Sequence, residues 1–308
     1  MDITSRYNDI EILGKGSVAT VVKSVDIESN TYVVIKKWNH YFSSSFIEAT
    51  ILYLLLDTDP FHPGYNHVIH IIDHIEEEDQ SRVSIVLPLY EGTLLDLIMK
   101  YPFGMPEEMV RNLGKQMCLA VSYSHFCSVF HGDIKPENFL YRTTESGQYH
   151  IVLCDFSNSR MKDNMISPPH IIQTKQYRCL ESIIGYSSYT LQSDMTSIAF
   201  VIGEMALGKY VLSSISLSDT NSIEEKEEHI IAYLSLLGKN TLTEIQDIHP
   251  VISSFLEKIP NEPQLPQVFE NEEWMTSMIR WLHPIPDKRW TADESLSQGP
   301  FQYGITMS

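Results

Sequence analysis

In the stretch FHGDIKPENFLY, Phe130 to Tyr141, an acid, a base and an amide stand at Asp133, Lys135 and Asn138, with Pro136 in the turn between them. A second acid, Asp155, ends the run YHIVLCDF that follows. Asn138 and Asp155 offer hard oxygen ligands of the kind Mg²⁺ takes. Asp133 can accept a hydroxyl proton and orient the attacking oxygen, and Lys135 can neutralise a migrating phosphoryl group. Phosphoryl transfer needs such positioning and charge neutralisation more than covalent help. Upstream, LGKGSVATV places Gly14, Lys15, Gly16 and Ser17 between two β-branched runs. Glycines there let backbone amides approach phosphate oxygens with no Cβ in the way. Alone, a glycine pair reads better as a hairpin turn. Lys36 ends VVIK, and Glu48 follows inside a helical run. A glutamate there can hold a strand lysine by an ion pair, although each residue taken singly reads as solvated.

These groups need a scaffold. YNDIEILGKG, TVVKSVDI, TYVVIKKWN, HVIHIIDHI and RVSIVLPL read as strands. SSSFIEATILYLLLD reads as a helix with Phe46, Ile47, Ile51, Leu54 and Leu55 on its apolar face. After YEGT the character changes. LLDLIMKY, PEEMVRNLGKQMCLAVSYSHF, SDMTSIAFVIGEMALG, KEEHIIAYLSLLG, PVISSFLEKI and NEEWMTSMIRWL read as helices, interrupted by the strand pieces NFLYRT and YHIVLCDF. The expected architecture is α+β and bilobal. A β-rich lobe with one main helix spans 1–90, a mostly helical lobe spans 91–308, and the hinge lies near Pro88 to Gly92. A cleft between two lobes is a common place for a ligand.

Composition narrows the function classes. Hydrophobic residues make up 43% of 308, which excludes a disordered chain. No apolar run reaches membrane-spanning length, and SIAFVIGEMALG is broken by Glu204. The N-terminus has no signal-peptide layout. Twenty-two basic against forty acidic residues leave a net charge of −18, with no basic cluster. Direct nucleic-acid binding is not expected, whereas basic partners would be attracted. Cys118, Cys127, Cys154 and Cys179 lack metal-ligand spacing and read as free thiols in a reducing compartment. His62, His67, His70 and His74 have no cysteine beside them, so a structural role is the simpler reading. Met99, Met105, Met109 and Met117 read as core filler around the long helix.

The constellation resembles the eukaryotic protein kinases from about residue 7 to 301, carried by Gly14, Gly16, Val21, Lys36, Glu48, Asp133, Asn138 and Asp155. The resemblance implies ATP and Mg²⁺ as cofactors. Asp133 would be the catalytic base, aided by Lys135, Lys36 and Asn138, with Asn138 and Asp155 on the metal. Leu13, Val21, Val34, Leu87, Leu89, Leu140 and Cys154 would line the adenine slot, and Leu52, His131 and Phe156 would stack into a packed spine. Lys135 with Thr174 is similar to the serine/threonine pairing. Glu181, Arg289 and Asp194 would be structural partners. QTKQYR followed by LE, together with HGDIKPEN, resembles the SR-protein kinases of the CMGC group. That implies arginine/serine-rich protein substrates, with Glu224, Glu225, Glu227 and Glu228 as docking candidates. It further implies an intracellular, monomeric enzyme in the cytoplasm, with nuclear entry open. The alternatives are a pseudokinase scaffold or a CMGC kinase of other preference.

Five positions depart from the pattern. Ala19 replaces a loop glycine, Val34 an alanine over the adenine, and Ser157 the glycine of Asp-Phe-Gly. Thr196 replaces a tryptophan. Gly132 stands where an arginine is usual, and in the family that arginine reads a phosphate on the activation segment. Ser157, Ser159, Ser167, Thr174 and Tyr177 are the hydroxyls in that segment.

Overall fold

The computed structural model describes residues 6–16, 18–39, 43–76, 83–164, 172–185, 189–216, 222–243, 250–265 and 271–301. Ser17 and Ser167 lie outside them. Strands β1 (Tyr7–Lys15), β2 (Ala19–Asp26), β3 (Thr31–Trp38), β4 (Asp73–Glu76) and β5 (Val83–Pro88) form one antiparallel sheet in the order β1-β2-β3-β5-β4. Side chains alternate across a strand. On β3, Val33 and Ile35 therefore bury against Tyr7, Ile75 and Val86, while Val34 and Lys36 take the other face. Register sets Lys36 opposite Val21 on β2 and Val34 opposite Leu87 on β5.

Helix α1 (Ser43–Asp57) packs on this sheet. Its buried stripe is Ser45, Glu48, Ala49, Leu52 and Leu55, with Ile51 beside it. This corrects the expected face, because Phe46 and Ile47 are exposed. The helix is rotated so that Glu48, a charged residue, points inward to a cationic partner.

From β6 (Gly92–Thr93) onward helices dominate: α2 (Leu94–Ile98), α3 (Glu107–Phe126), α4 (Leu180–Ile183), α5 (Ser193–Leu207), α6 (Ile223–Thr243), α7 (Pro250–Ser253), α8 (Glu272–Trp281) and α9 (Ala292–Gln298). Between α3 and α4 lie β7 (Val129–Phe130), β8 (Phe139–Thr143), β9 (Tyr149–Leu153) and β10 (Arg160–Met161). They form a β6-β8-β9 sheet and a β10-β7 pair. Helix α5 is buried from Ser193 to Ala206 on every face, so it is the axis of this half. Helix α6 is broken at Gly238, whose φ of 74° lies in the left-handed region.

Three expectations change. HVIHIIDHI contributes only β4 to the sheet. Its first half buries Val68, Ile69 and Ile71 in irregular backbone, and Ile69 N donates to Leu153 O at 2.9 Å. An apolar β-branched run looks the same whether it pairs or merely buries. In PVISSFLEKI the α-helix stops at Ser253 and a 3₁₀ turn follows, since Pro260 forces Ile259 into extended backbone. Met99 is 72% exposed, unlike Met105 and Met117, which are core. All four cysteines are free and buried. His67 bonds Ile151 O, His70 bonds Tyr65 O, and His74 bonds the Tyr53 hydroxyl, as befits structural histidines.

Candidate active site

The Lys36 ammonium sits between two carboxylates, 2.8 Å from Glu48 Oε2 and 2.7 Å from Asp155 Oδ1. Burial works against the ammonium, but the two carboxylates outweigh it and raise its pKa above the ordinary lysine value. Burial likewise opposes Asp155, and Lys36 more than compensates, holding its carboxyl well below the usual range. The Trp38 ring lies two residues on, 5.1 Å from the same nitrogen, within cation–π range. Asp155 itself is in the left-handed region at φ 61°, a strained setting for a non-glycine residue. Ser157 follows in a 3₁₀ turn and has no positive φ, so the backbone there does not need a glycine. Its hydroxyl donates to Asp155 Oδ1 at 2.7 Å.

Asp133 and Asn138 share a short loop ahead of β8. Asn138 Nδ2 donates to Asp133 O at 2.7 Å, which fixes the amide and leaves Oδ1 as its candidate ligand atom. Among the described residues, Lys36 and Ser157 both use Asp155 Oδ1 and none bonds its second oxygen, which is left for another ligand. Two hard oxygens of this kind fit Mg²⁺. The Asp133 carboxylate is held from two sides. Lys135 Nζ meets Oδ2 at 2.7 Å, and the Thr174 hydroxyl and amide meet Oδ1 at 2.8 and 3.1 Å. Burial opposes the Lys135 charge, but Asp133 overrides it and raises the ammonium's pKa.

Asp194, fully buried at the start of α5, braces the loop. Its carboxylate accepts the amides of His131 (2.9 Å) and Gly132 (3.0 Å) and lies 3.0 Å from His125 Nε2. His131 Nε2 lies 3.0 Å from Cys154 O, and the His131 and Phe156 rings meet edge-on at 4.9 Å. With Leu52 these rings are buried, in line with the expected spine. Gly132 has φ +77°, where L side chains are strained. A Cβ there would come within 3.1 Å of Asn158 O and of the Phe130 ring. The missing arginine thus coincides with a backbone conformation that favours glycine.

Beyond Thr174, Glu181 and Arg289 form a buried bidentate pair at 2.6 Å each. Ser193 and the His283 carbonyl complete its hydrogen bonding. Thr196 is buried, and its hydroxyl donates to Trp281 O at 3.3 Å. The segment's described hydroxyls are engaged. Ser159 donates to His131 O, Thr174 to Asp133 and Tyr177 to Glu204. Arg178 donates to Gln173 O.

Leu87 and Cys154 are buried, Val34 and Leu140 pack against the core, Val21 and Leu89 are half-buried, and Leu13 is exposed. Gly14 has open space above it, and neither Gly14 nor Gly16 has positive φ. What shapes this loop is Asn39, just past β3. Its Nδ2 donates to Gly16 O (2.9 Å), its amide to Val18 O (2.9 Å), and its Oδ1 accepts from Thr20 (2.8 Å). A lone asparagine after a strand carries no signal of such a tie. Glu204, which in the sequence only interrupts an apolar run, has a partner here. It accepts from the Tyr177 hydroxyl at 2.5 Å, and burial, opposed by Tyr177 and reinforced by Glu137, pushes it up to about 7. Of the docking acids, Glu225 pairs with Lys175 and Glu227 with Lys258, while Glu224 and Glu228 are exposed.

Residues 7–301 match the family described as protein kinase domain. A dual specificity protein kinase YAK1 homolog from Arabidopsis thaliana is 31% identical over 216 residues, 67% of this chain and 21% of that protein. Dual specificity tyrosine-phosphorylation-regulated kinase 2 from Drosophila melanogaster is 30% identical over 212 residues, 67% of this chain and 28% of that protein. Mitogen-activated protein kinase KSS1 from Saccharomyces cerevisiae is 25% identical over 316 residues, 96% of this chain and 82% of that protein. The chain thus spans 21% and 28% of the first two relatives, and all three are kinases of the CMGC group.

Proposed function

The chain belongs to the protein kinase family, and from that premise we propose that it is a serine/threonine kinase using Mg-ATP on arginine-rich, serine-containing protein segments. The observation that carries the transferase reading is the Asp133 carboxylate. It is fixed by Lys135 and Thr174 a few residues from Asn138, with Lys36, Glu48 and Asp155 already joined. Asp133 orients the acceptor hydroxyl and takes its proton. Lys135 lies beside Asp133 and offsets charge on the phosphoryl oxygens. Lys36, held by Glu48, binds the nucleotide phosphates. Asn138 and Asp155 would hold Mg²⁺, which would supply positive charge against those phosphates.

The substrate reading rests on acids in front of this loop. Glu137 is exposed beside Asn138, and its charge reaches Glu204, Tyr177 and Tyr210. An arginine guanidinium entering there would meet two carboxylates and would favour ionisation of Glu204. Exposed Glu224 and Glu228 and the net charge of −18 extend the attraction to a basic segment.

The test is transfer from labelled Mg-ATP to three peptides matched in length: arginine/serine, lysine/serine and proline-directed. Arginine/serine should be preferred, and Asp133→Asn should lower the rate by about 10²–10⁴-fold. Lys36→Met should be comparably damaging. Transfer that survives both substitutions, or none at all, sinks the transferase reading. A preference for the proline-directed peptide sinks only the substrate reading.

A further inference from the structure

A cavity of about 560 Å³ opens where the loop after α1, the end of α3, the turn after β10 and the segments entering α5 and α9 meet. That volume suits a small organic ligand. None of its lining residues belongs to the Lys36–Asp155 or Asp133–Thr174 clusters. One wall is aromatic. His62 stacks on Phe126 with centroids 5.0 Å apart, and Phe126 and the adjacent Phe61 are exposed. Among the described residues, the charges at the mouth are two exposed carboxylates, Asp287 and Asp293, against one exposed ammonium, Lys162.

The inner wall is connected to the active site. His125 lines the cavity, and its Nε2 lies 3.0 Å from Asp194 Oδ2. That carboxylate takes the amides of His131 and Gly132, immediately before Asp133. Lys162 lines it too, and its backbone amide donates to Ser128 O beside β7, which leads into the same loop.

We propose that this cavity binds a flat aromatic cation of the aryl-amidine class, and that occupancy alters the ordering of the catalytic loop through His125 and Asp194. The ring extends the His62–Phe126 stack. The cationic donor group turns to Asp287 and Asp293, which outnumber Lys162. An anion of the same size meets a surplus of negative charge and is rejected. The binding half holds whether or not the chain transfers phosphate.

Three probes of one size decide the matter by ligand-observed NMR: benzamidine, uncharged benzamide and anionic benzoate. Benzamidine should bind with a Kd on the order of 1 mM, benzamide several-fold more weakly, and benzoate not measurably. Phe126→Ala and Asp287→Asn should each weaken benzamidine about three- to tenfold, and Lys162→Glu should tighten it. Asp287 is exposed, so its variant reports binding even if Phe126→Ala disturbs the fold. Coupling is read by amide hydrogen exchange at His131 and Gly132, which should change in saturating benzamidine. Equal binding of the three probes, indifference to all three substitutions, or displacement by ATP overturns the site. Unchanged exchange at saturation overturns the coupling.

Discussion

Replacing Gly132 by alanine tests the reason an arginine is absent from the catalytic loop. At an ordinary negative φ, glycine to alanine stabilises a protein by about 0.4–1 kcal/mol, because the unfolded chain loses freedom. At φ +77° the L side chain costs about 1–2 kcal/mol instead. The new Cβ also meets Asn158 O and the Phe130 ring at 3.1 Å, so those neighbours must give by a few tenths of an ångström. The sum is a loss of about 1 kcal/mol, opposite in sign to the ordinary case. The Gly132 amide is held by Asp194 and the next residue is Asp133, so part of the strain reaches the carboxylate that faces substrate. If about 1 kcal/mol of it is expressed in the transition state, kcat falls about fivefold. Urea unfolding gives the first number and steady-state transfer to an arginine/serine peptide the second. Gly132→Arg should be worse on both counts. The same geometry says that no arginine reads a phosphate from this position, and Ser159, Thr174 and Tyr177 already spend their hydroxyls on His131, Asp133 and Glu204. Phosphatase treatment should therefore leave the rate unchanged. Stabilisation by Gly132→Ala, or a large loss of rate after phosphatase, refutes the reasoning.

Asn39→Ala removes two side-chain hydrogen bonds to the phosphate loop, worth about 0.5–1.5 kcal/mol each when well shielded and less at this exposed site. KM for ATP should rise about three- to tenfold with kcat changed much less; a fall in kcat at unchanged KM would mean Asn39 acts elsewhere. Glu204 keeps its proton to about pH 7 in the folded chain against 4.5 for the ordinary side chain. The unfolded chain therefore binds fewer protons between those values, and stability is lost as pH rises from about 4.5 through 7. Glu204→Gln removes that loss, so urea melts should show the variant gaining about 2 kcal/mol on wild type between pH 5 and pH 8; a pH-independent difference would count against a protonated Glu204.

The chemistry was legible because it is written locally. Asp133, Lys135 and Asn138 share one proline turn, Asp155 ends the next strand, and Lys36 closes a β-branched run whose alternation shows which face it takes. The order of β-rich then helical halves was readable for the same reason, since periodicity is a property of neighbours in sequence. Helix α9 was not, because its seven mostly polar residues carry no apolar period; a Thr291–Glu294 capping box starts it instead. HVIHIIDHI misled because burial and strand pairing select the same residues. What only the tertiary structure decided depends on partners far apart in the chain. The α1 face turned on whether Glu48 or Phe46 should point inward, and Lys36 on another strand settled it. Asn39 matters because β3 ends beneath the phosphate loop. Gly132 looked like a lost sensor until its φ showed a backbone that an L side chain strains. Residue types and their spacing determine which groups could do the chemistry. Dihedral angles, hydrogen-bond partners and burial belong to the packed chain, where one carboxylate, that of Asp194, can hold a loop more than sixty residues away.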